Sequence, residues 1–305
     1  MHLLDEAGAW PYPGLYREDE GPLRPLAELT LTRGYVTEAG VETVDLPPMH
    51  VLSVRRGEGQ GVSGMISLQC TDALGLLGLW RAPEALTWKN RPIRWLLAEL
   101  CARVGLRYAD AGEASLGREL PQFTLQAGQA ALDGALALLR LGGCVARVDA
   151  DGALRAWPWP QTGAPQMTIG AHGEVRRGTY GQRAPDATGL RVSSGGAYAE
   201  GEAIPDAWAL GLRLTEAIHD GRIGLSVGMA EAVRNRELAL AGMGWRCDEA
   251  LVPARMDLEL WDVVELDCAA TARVGAERAR VVTGIVEKRD ASRGVFEAEV
   301  EMGRM

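Results

Sequence analysis

Leu258-Glu259-Leu260-Trp261-Asp262-Val263-Val264-Glu265-Leu266 opens the clearest β pattern in the chain. Apolar and acidic residues alternate with period two, the spacing of a strand that buries one face. The alternation runs over 256–260 and 262–266 and returns over 278–288 and 294–301. Turn-forming residues interrupt it at Val274-Gly275 and over 290–294. These residues predict a small antiparallel barrel or sheet, a C-terminal module over 251–305.

Working back from that module, 161–250 is a glycine-rich segment. It has one strand-like stretch at 189–194 and one helix over 229–241, whose larger apolar residues are Val233, Leu238 and Leu240. The proline-broken run 158–165 reads as a linker. Before it, 88–160 reads as an α+β insertion. Ile93, Leu96, Leu97, Leu100, Cys101 and Val104 recur at i, i+3, i+4, i+7, i+8 and i+11, which makes one apolar helix face. Asn90 is the expected cap, Pro92 sits in the first turn and Gly105 is the stop. Phe123 and Leu125 form a short strand. A second helix over 129–141 shows Leu132, Ala135, Leu136 and Leu139 on one face and stops at Gly142-Gly143. The strands 144–148 and 153–157 then form a hairpin about Asp149-Ala150-Asp151-Gly152.

The N-terminal module, 26–87, carries strand-like stretches at 26–33, 41–46, 51–55 and 65–70, separated by Pro47-Pro48 and the glycine-rich 57–64. Residues 1–25 form an extended arm rich in proline and aromatics. The fold class expected is α+β: two small antiparallel β-barrel-like modules with an α+β insertion between them.

Composition bounds the function. The chain has 305 residues, 47% hydrophobic and 24% charged, an ordinary globular balance. Acids outnumber bases, 41 to 32, for a net charge of −9, which disfavours binding driven by phosphate neutralisation. No window approaches the roughly 18 consecutive apolar residues of a membrane span. The first 20 residues carry Asp5, Glu6, Glu18, Asp19 and Glu20 and lack the pattern of a signal peptide. Five cysteines (Cys70, Cys101, Cys144, Cys247 and Cys268) are widely spaced with no metal-ligand interval, as expected of free thiols in a reducing compartment.

Catalytic signatures fail on context. Gly59-Gln60-Gly61-Val62-Ser63-Gly64 matches a dinucleotide fingerprint, but a strand follows it where the chemistry needs a helix N-terminus to receive pyrophosphate. Gly224-Leu225-Ser226-Val227-Gly228 matches a nucleophile elbow, yet the last histidine, His219, precedes it. It is expected to be a loop, and His219-Asp220 a surface turn. Asp149-Ala150-Asp151-Gly152 begins like a calcium loop, but the twelfth position is Pro160. His2, His50, His172 and His219 stand singly. The chain is therefore expected not to be an enzyme and to carry no catalytic, cofactor-binding or metal-ligating residues. Candidate interface residues are Trp10, Tyr12 and Tyr16 in the proline-broken arm, and Trp157 and Trp159, flanked by prolines at the linker, for which packing of the linker is the alternative.

The succession of short patterns resembles a known family. It runs through Leu68-Gln69-Cys70-Thr71-Asp72-Ala73-Leu74, then Lys89-Asn90-Arg91-Pro92-Ile93-Arg94-Trp95-Leu96-Leu97. Pro121-Gln122-Phe123-Thr124-Leu125-Gln126-Ala127-Gly128-Gln129 and Leu132-Asp133-Gly134-Ala135 follow. Val148-Asp149-Ala150-Asp151-Gly152-Ala153-Leu154 and Leu258-Glu259-Leu260-Trp261-Asp262-Val263-Val264 complete the order. Over about residues 26–305 it resembles the tail-hub or baseplate-hub proteins of tailed bacteriophages and related contractile injection systems.

That resemblance implies a structural protein of the virion tail, made in the bacterial cytoplasm. It implies a homo-oligomeric ring, a trimer or a hexamer, that continues the tail tube and anchors a spike or fibre. Residues 26–72 and 253–305 would supply ring-forming barrels and 88–157 an outer insertion. DNA would pass without specific binding, and several acids of 257–267 and 287–301 would face the lumen, a solvated outer face being the alternative. Such hubs begin with a fuller first barrel, whereas 25 residues precede Leu26 here. The competing expectation is a monomeric surface carbohydrate-binding or adhesin module, with Trp157 and Trp159 exposed on one patch.

Overall fold

The computed structural model describes residues 2–4, 24–38, 40–59, 62–159, 164–170, 174–180, 188–194, 197–202, 215–219, 225–245, 247–255, 257–267, 279–290 and 295–304. The chain is mixed α+β and divides into two compact units. The first holds Met1–Glu119, Thr124–Leu139 and Ala146–Trp157; the second holds Leu120–Phe123, Arg140–Val145 and Pro158–Met305.

The first unit opens with β1 (His2–Leu4), β2 (Glu28–Leu29), β3 (Thr32–Thr37), β4 (Gly40–Asp45), β5 (Met49–Gly59) and β6 (Val62–Thr71). β5 and β6 make a long antiparallel hairpin that closes at Gly59 opposite Val62, so the GxGxxG stretch is a hairpin tip. The sheet order is β1-β6-β5-β2. Val51 and Leu68 bury their side chains together, with Ala27, Leu29, Val54 and Cys70 packed against them. Among the described residues these strands form an open sheet, not the barrel-like closure expected. Among the described residues β3 and β4 form a separate two-stranded sheet, and β1 and β2 edge the four-stranded one over three and two residues.

α1 (Ala73–Leu79) follows; the Asp72 carboxylate accepts the Gly75 N–H at 3.1 Å and starts it. Seven residues are too few for period 3.6 to show in the sequence. β7 (Leu86–Pro92) leads into α2 (Ile93–Arg103), whose face of Ile93, Leu96, Leu97, Leu100 and Cys101 is completely buried. Asn90 is not the cap predicted: it lies inside β7 at φ +50°, and the Ile93 N–H donates to the Arg118 carbonyl instead.

β8 (Tyr108–Ala109), β9 (Glu119–Leu125), α3 (Ala131–Gly142), β10 (Cys144–Val148) and β11 (Leu154–Pro158) follow, with parts of β9, α3 and β10 belonging to the second unit. β8 joins the β10–β11 hairpin in parallel with β11, and β7 pairs with β9. The turn at 149–152 is tied by Arg155 to Asp149 at 2.7 Å and by Arg107 to Asp151. The Ala153 N–H and then Arg107 hold the Asp151 carboxyl below its ordinary range. A depressed carboxylate pKa stabilises the fold at neutral pH, and that contribution is lost as pH falls through the depressed value. Arg107→Ala is expected to raise the Asp151 midpoint, read by a carboxyl-carbon NMR titration.

The second unit contains β12 (Met167–Ile169), β13 (Arg177–Tyr180), β14 (Gly189–Ser194), β15 (Ala197–Glu202), β16 (Thr215–His219) and α4 (Val227–Trp245). β17 (Cys247–Pro253), β18 (Val263–Leu266), β19 (Ala279–Asp290) and β20 (Val295–Arg304) follow. The six-stranded sheet β12-β18-β19-β20-β17-β13 draws its two edges from the glycine-rich segment. Ile169, Val252, Leu258, Val264, Val282, Val300 and Met302 are central to its core. The other sheet, β15-β14-β16, is packed by α4, which comes close enough that a Cβ at Gly201 would stand 2.7 Å from Leu238.

The strand predicted at 256–260 is not a strand. Residues 257–262 form a turn in which the Asp262 carboxylate accepts the Glu259 N–H at 2.8 Å and Trp261 stands at φ +73°. Leu258 still enters the core, so an alternation that imitates a strand is met by a local side-chain bond to the backbone.

At the end of β12, Gly170 has φ +94°, and a Cβ there would lie 2.3 Å from the Asp267 carbonyl oxygen. Gly170→Ala is expected to cost about 1–3 kcal/mol, read by chemical denaturation.

Candidate assembly surface

The motifs tested for catalysis resolve into local structure. The Ser226 hydroxyl accepts the Met229 N–H at 3.3 Å, so the serine of the GxSxG match is the N-cap of α4, not a free loop residue. His219 closes β16 opposite Ser193, in a strand rather than the turn expected; Asp220 lies outside the described residues. Among the described residues no group of three or more His, Cys, Asp or Glu is placed to hold a metal ion. None of the four described cysteines is in a disulfide, and burial pushes the Cys101 thiol up to about 12, so it stays protonated and unreactive.

The predicted interface aromatics separate. Trp159 is only 5% exposed and meets Trp261 edge-on, with ring centroids 5.1 Å apart. Its ring belongs to the interior of the second unit, which removes it as an interface residue. Trp157 is half-buried, with the Arg147 guanidinium 5.4 Å from its ring centroid. Trp10, Tyr12 and Tyr16 lie outside the described residues. The carbohydrate-stacking arrangement needs both linker tryptophans in the open, and one of them is buried.

What the surface does offer is strand edges. β5 has 11 residues and β6 has 10, yet the strands flanking them pair over two and three positions. The six-stranded sheet ends on strands of three and four residues. Among the described residues the flanking strands cover only part of β5 and β6, and an uncovered strand edge is the natural template for pairing with another chain. The acids of the C-terminal hairpin are less free than the net charge suggests. Glu297 is engaged by Arg176, and Glu299 by Lys288 at 3.6 Å and Arg177 at 3.7 Å.

No protein-family model matches the chain, and no curated protein matches it. Solved structures do. A tail protein from Neisseria meningitidis superposes with a TM-score of 0.67 at 14% identity, covering 91% of this chain and 87% of that one. A 43 kDa prophage tail protein from Shewanella oneidensis gives 0.65 at 12% identity, covering 92% and 90%. A prophage tail protein from Listeria monocytogenes gives 0.56 at 12% identity, covering 92% and 85%. The chain has the phage tail-protein fold.

Two polar clusters sit inside the second unit of this tail-protein fold. Arg280 Nε donates to Asp248 at 2.6 Å and its Nη1 to the Ala279 carbonyl at 2.9 Å, with both charged side chains buried. The sequence carried a signal for this pair that escaped notice: Val252 and Ala250 are inward, and period two then places Asp248 inward too. The second cluster joins α3 and α4. Glu237 takes Arg140 at 3.1 Å and Arg236 at 3.2 Å, but the buried Nε and Nη1 of Arg236 have no hydrogen-bond partner. Burial, more than its neighbours, disfavours the Arg236 charge. The buried Oε1 of Glu237 has no hydrogen bond either, so Arg236→Met, which removes one of its two bases, is expected to destabilise the fold, whereas Arg236→Met with Glu237→Leu is expected to recover stability, checked by the urea midpoint.

Proposed function

We propose that the protein is a structural component of a phage tail tip or baseplate hub. In this reading it forms a homo-oligomeric ring, a trimer or a hexamer, that continues the tail tube and anchors a spike or fibre in the virion, after synthesis in the bacterial cytoplasm. The observation that carries the reading is the tail-protein fold, matched over 91–92% of the chain and over most of each solved tail protein. The open strand edges support it, because a ring assembled by edge pairing needs them. The net charge of −9 fits a wall past which DNA slides without binding. With Glu297 and Glu299 engaged by bases, that acidity would have to come from other side chains, such as the exposed Glu301. The role is one of assembly, not catalysis.

Light scattering at micromolar concentration, followed by electron microscopy of the purified species, tests the reading. A closed ring of three or six copies is the expected result. A monomer that persists when tail-tube and spike proteins are added overturns it.

A further inference from the structure

Leu26, in the first unit, carries two costs at once. It stands at φ +67°, in the left-handed region where a Cβ crowds a neighbouring carbonyl, and its side chain is 64% exposed to water. The backbone holds it there. The Leu26 N–H donates to the Val51 carbonyl at 2.7 Å, the Ala27 N–H to the Arg24 carbonyl at 3.0 Å and the Val51 N–H to the Ala27 carbonyl at 2.9 Å. A turn fastened to β5 on both sides of the residue therefore presents an apolar knob. Strain kept at an exposed position points to a use outside the protomer. Arg24 and Glu28, both exposed, stand two positions to either side of it.

The same unit carries a matching surface between α1 and α3. The Ala131 N–H donates to the Trp80 carbonyl at 3.2 Å, which sets the end of α1 against the start of α3. A Cβ at Gly78 would stand 3.4 Å from Leu132, so the two helices lie side by side. Leu136, one turn beyond the half-buried Leu132, belongs to the apolar face read from the sequence. The protomer buries Ala135, Leu138 and Leu139 and leaves Leu136 49% exposed. Leu79, next to Gly78, is 54% exposed. Charges border this apolar patch too: Asp133 is exposed three positions before Leu136, and the exposed Arg81 bridges Ala130 at the start of α3. Arg24, Glu28, Arg81 and Asp133 have no ion pair among the described residues. An apolar knob between a base and an acid thus faces, in kind, an apolar patch bordered by an acid and a base. They are different surfaces, so a contact between them is heterologous, the kind that closes into a ring rather than a two-fold dimer.

We propose that the occupant of the α1–α3 patch is Leu26 of a second copy of this chain. Leu26 packs on Leu132, Leu136 and Leu79, while Arg24 meets Asp133 and Glu28 meets Arg81. The proposal rests on the ring reading above and names one contact within it. The charged positions and Leu26 are exposed, so changing them tests association without disturbing a core.

The test is light scattering across a dilution series on the full chain, comparing wild type, L26G, R24E/E28R, R81E/D133R and the quadruple variant. The urea midpoint of each protomer is measured separately, below its dissociation concentration. Glycine adopts φ +67° without strain, so L26G is expected to leave that midpoint unchanged or raised. The same variant is expected to raise the dissociation concentration at least about tenfold, because it deletes the knob. Each double variant keeps the net charge at −9 and is also expected to weaken association about tenfold, since facing like charges repel. The quadruple variant restores it. A wild-type ring unmoved by L26G overturns this contact and leaves the ring reading standing. A fall in the protomer midpoint of L26G overturns it as well, since Leu26 would then serve its own fold. Loss in the double variants without recovery in the quadruple variant overturns the pairing of the two surfaces. A monomeric wild type overturns both readings.

Discussion

Replacing Asp248 by asparagine is expected to destabilise the second unit by about 3–5 kcal/mol, because it removes the carboxylate charge paired with the buried Arg280 guanidinium. Asp248 stands on β17 and Arg280 on β19, with β20 between them, so the pair spans the middle of the six-stranded sheet. Tryptophan fluorescence during denaturation reports the change, since Trp159 and Trp261 are in contact and the Trp261 N–H donates to the Val282 carbonyl of β19. The expected signature is a lower midpoint at an unchanged denaturant slope. The double variant Asp248→Leu with Arg280→Met separates net worth from breakage. Exchanging a buried pair for apolar residues is near neutral or stabilising, so the double variant is expected to sit well above the single one. A single variant with wild-type stability would show that the arginine finds compensation elsewhere.

The second large effect is expected in the first unit. Leu100 lies on the completely buried face of α2, and Leu100→Ala deletes three carbons where the surroundings cannot fully collapse. The expected loss is about 2–5 kcal/mol. Leu79→Ala is the control: that side chain is 54% exposed, and its loss is expected to stay within about 0.5 kcal/mol. Equal losses at the two positions would mean that the spacing argument for α2 misplaces its buried face.

The readable parts of the sequence are those whose period belongs to one element. The i, i+3, i+4 spacing from Ile93 to Cys101 placed the α2 face, and the alternation over 278–301 placed β19 and β20. The turn residues at 149–152 placed the β10–β11 hairpin. Even the likeness to tail hubs was legible in the order of short patterns, and it is borne out at the level of the fold. The candidate site was less legible. Proline flanks marked Trp159 as an interface residue, but its burial depends on Trp261, which lies far along the chain.

The sequence by itself determined where chain direction changes and which face of each long element is apolar, because side-chain period and turn chemistry are properties of neighbouring residues. Only the tertiary structure decided which strands meet. It took β12 and β13 from a glycine-rich stretch to edge the C-terminal sheet, paired β3 with β4 in a sheet apart from β5 and β6, and turned 257–262 into a loop that still buries Leu258. It also set Asp248 beside Arg280, 32 positions away. Strand pairing and buried charge are settled by backbone hydrogen bonds and desolvation between distant segments, and no local pattern records which segment the partner will be.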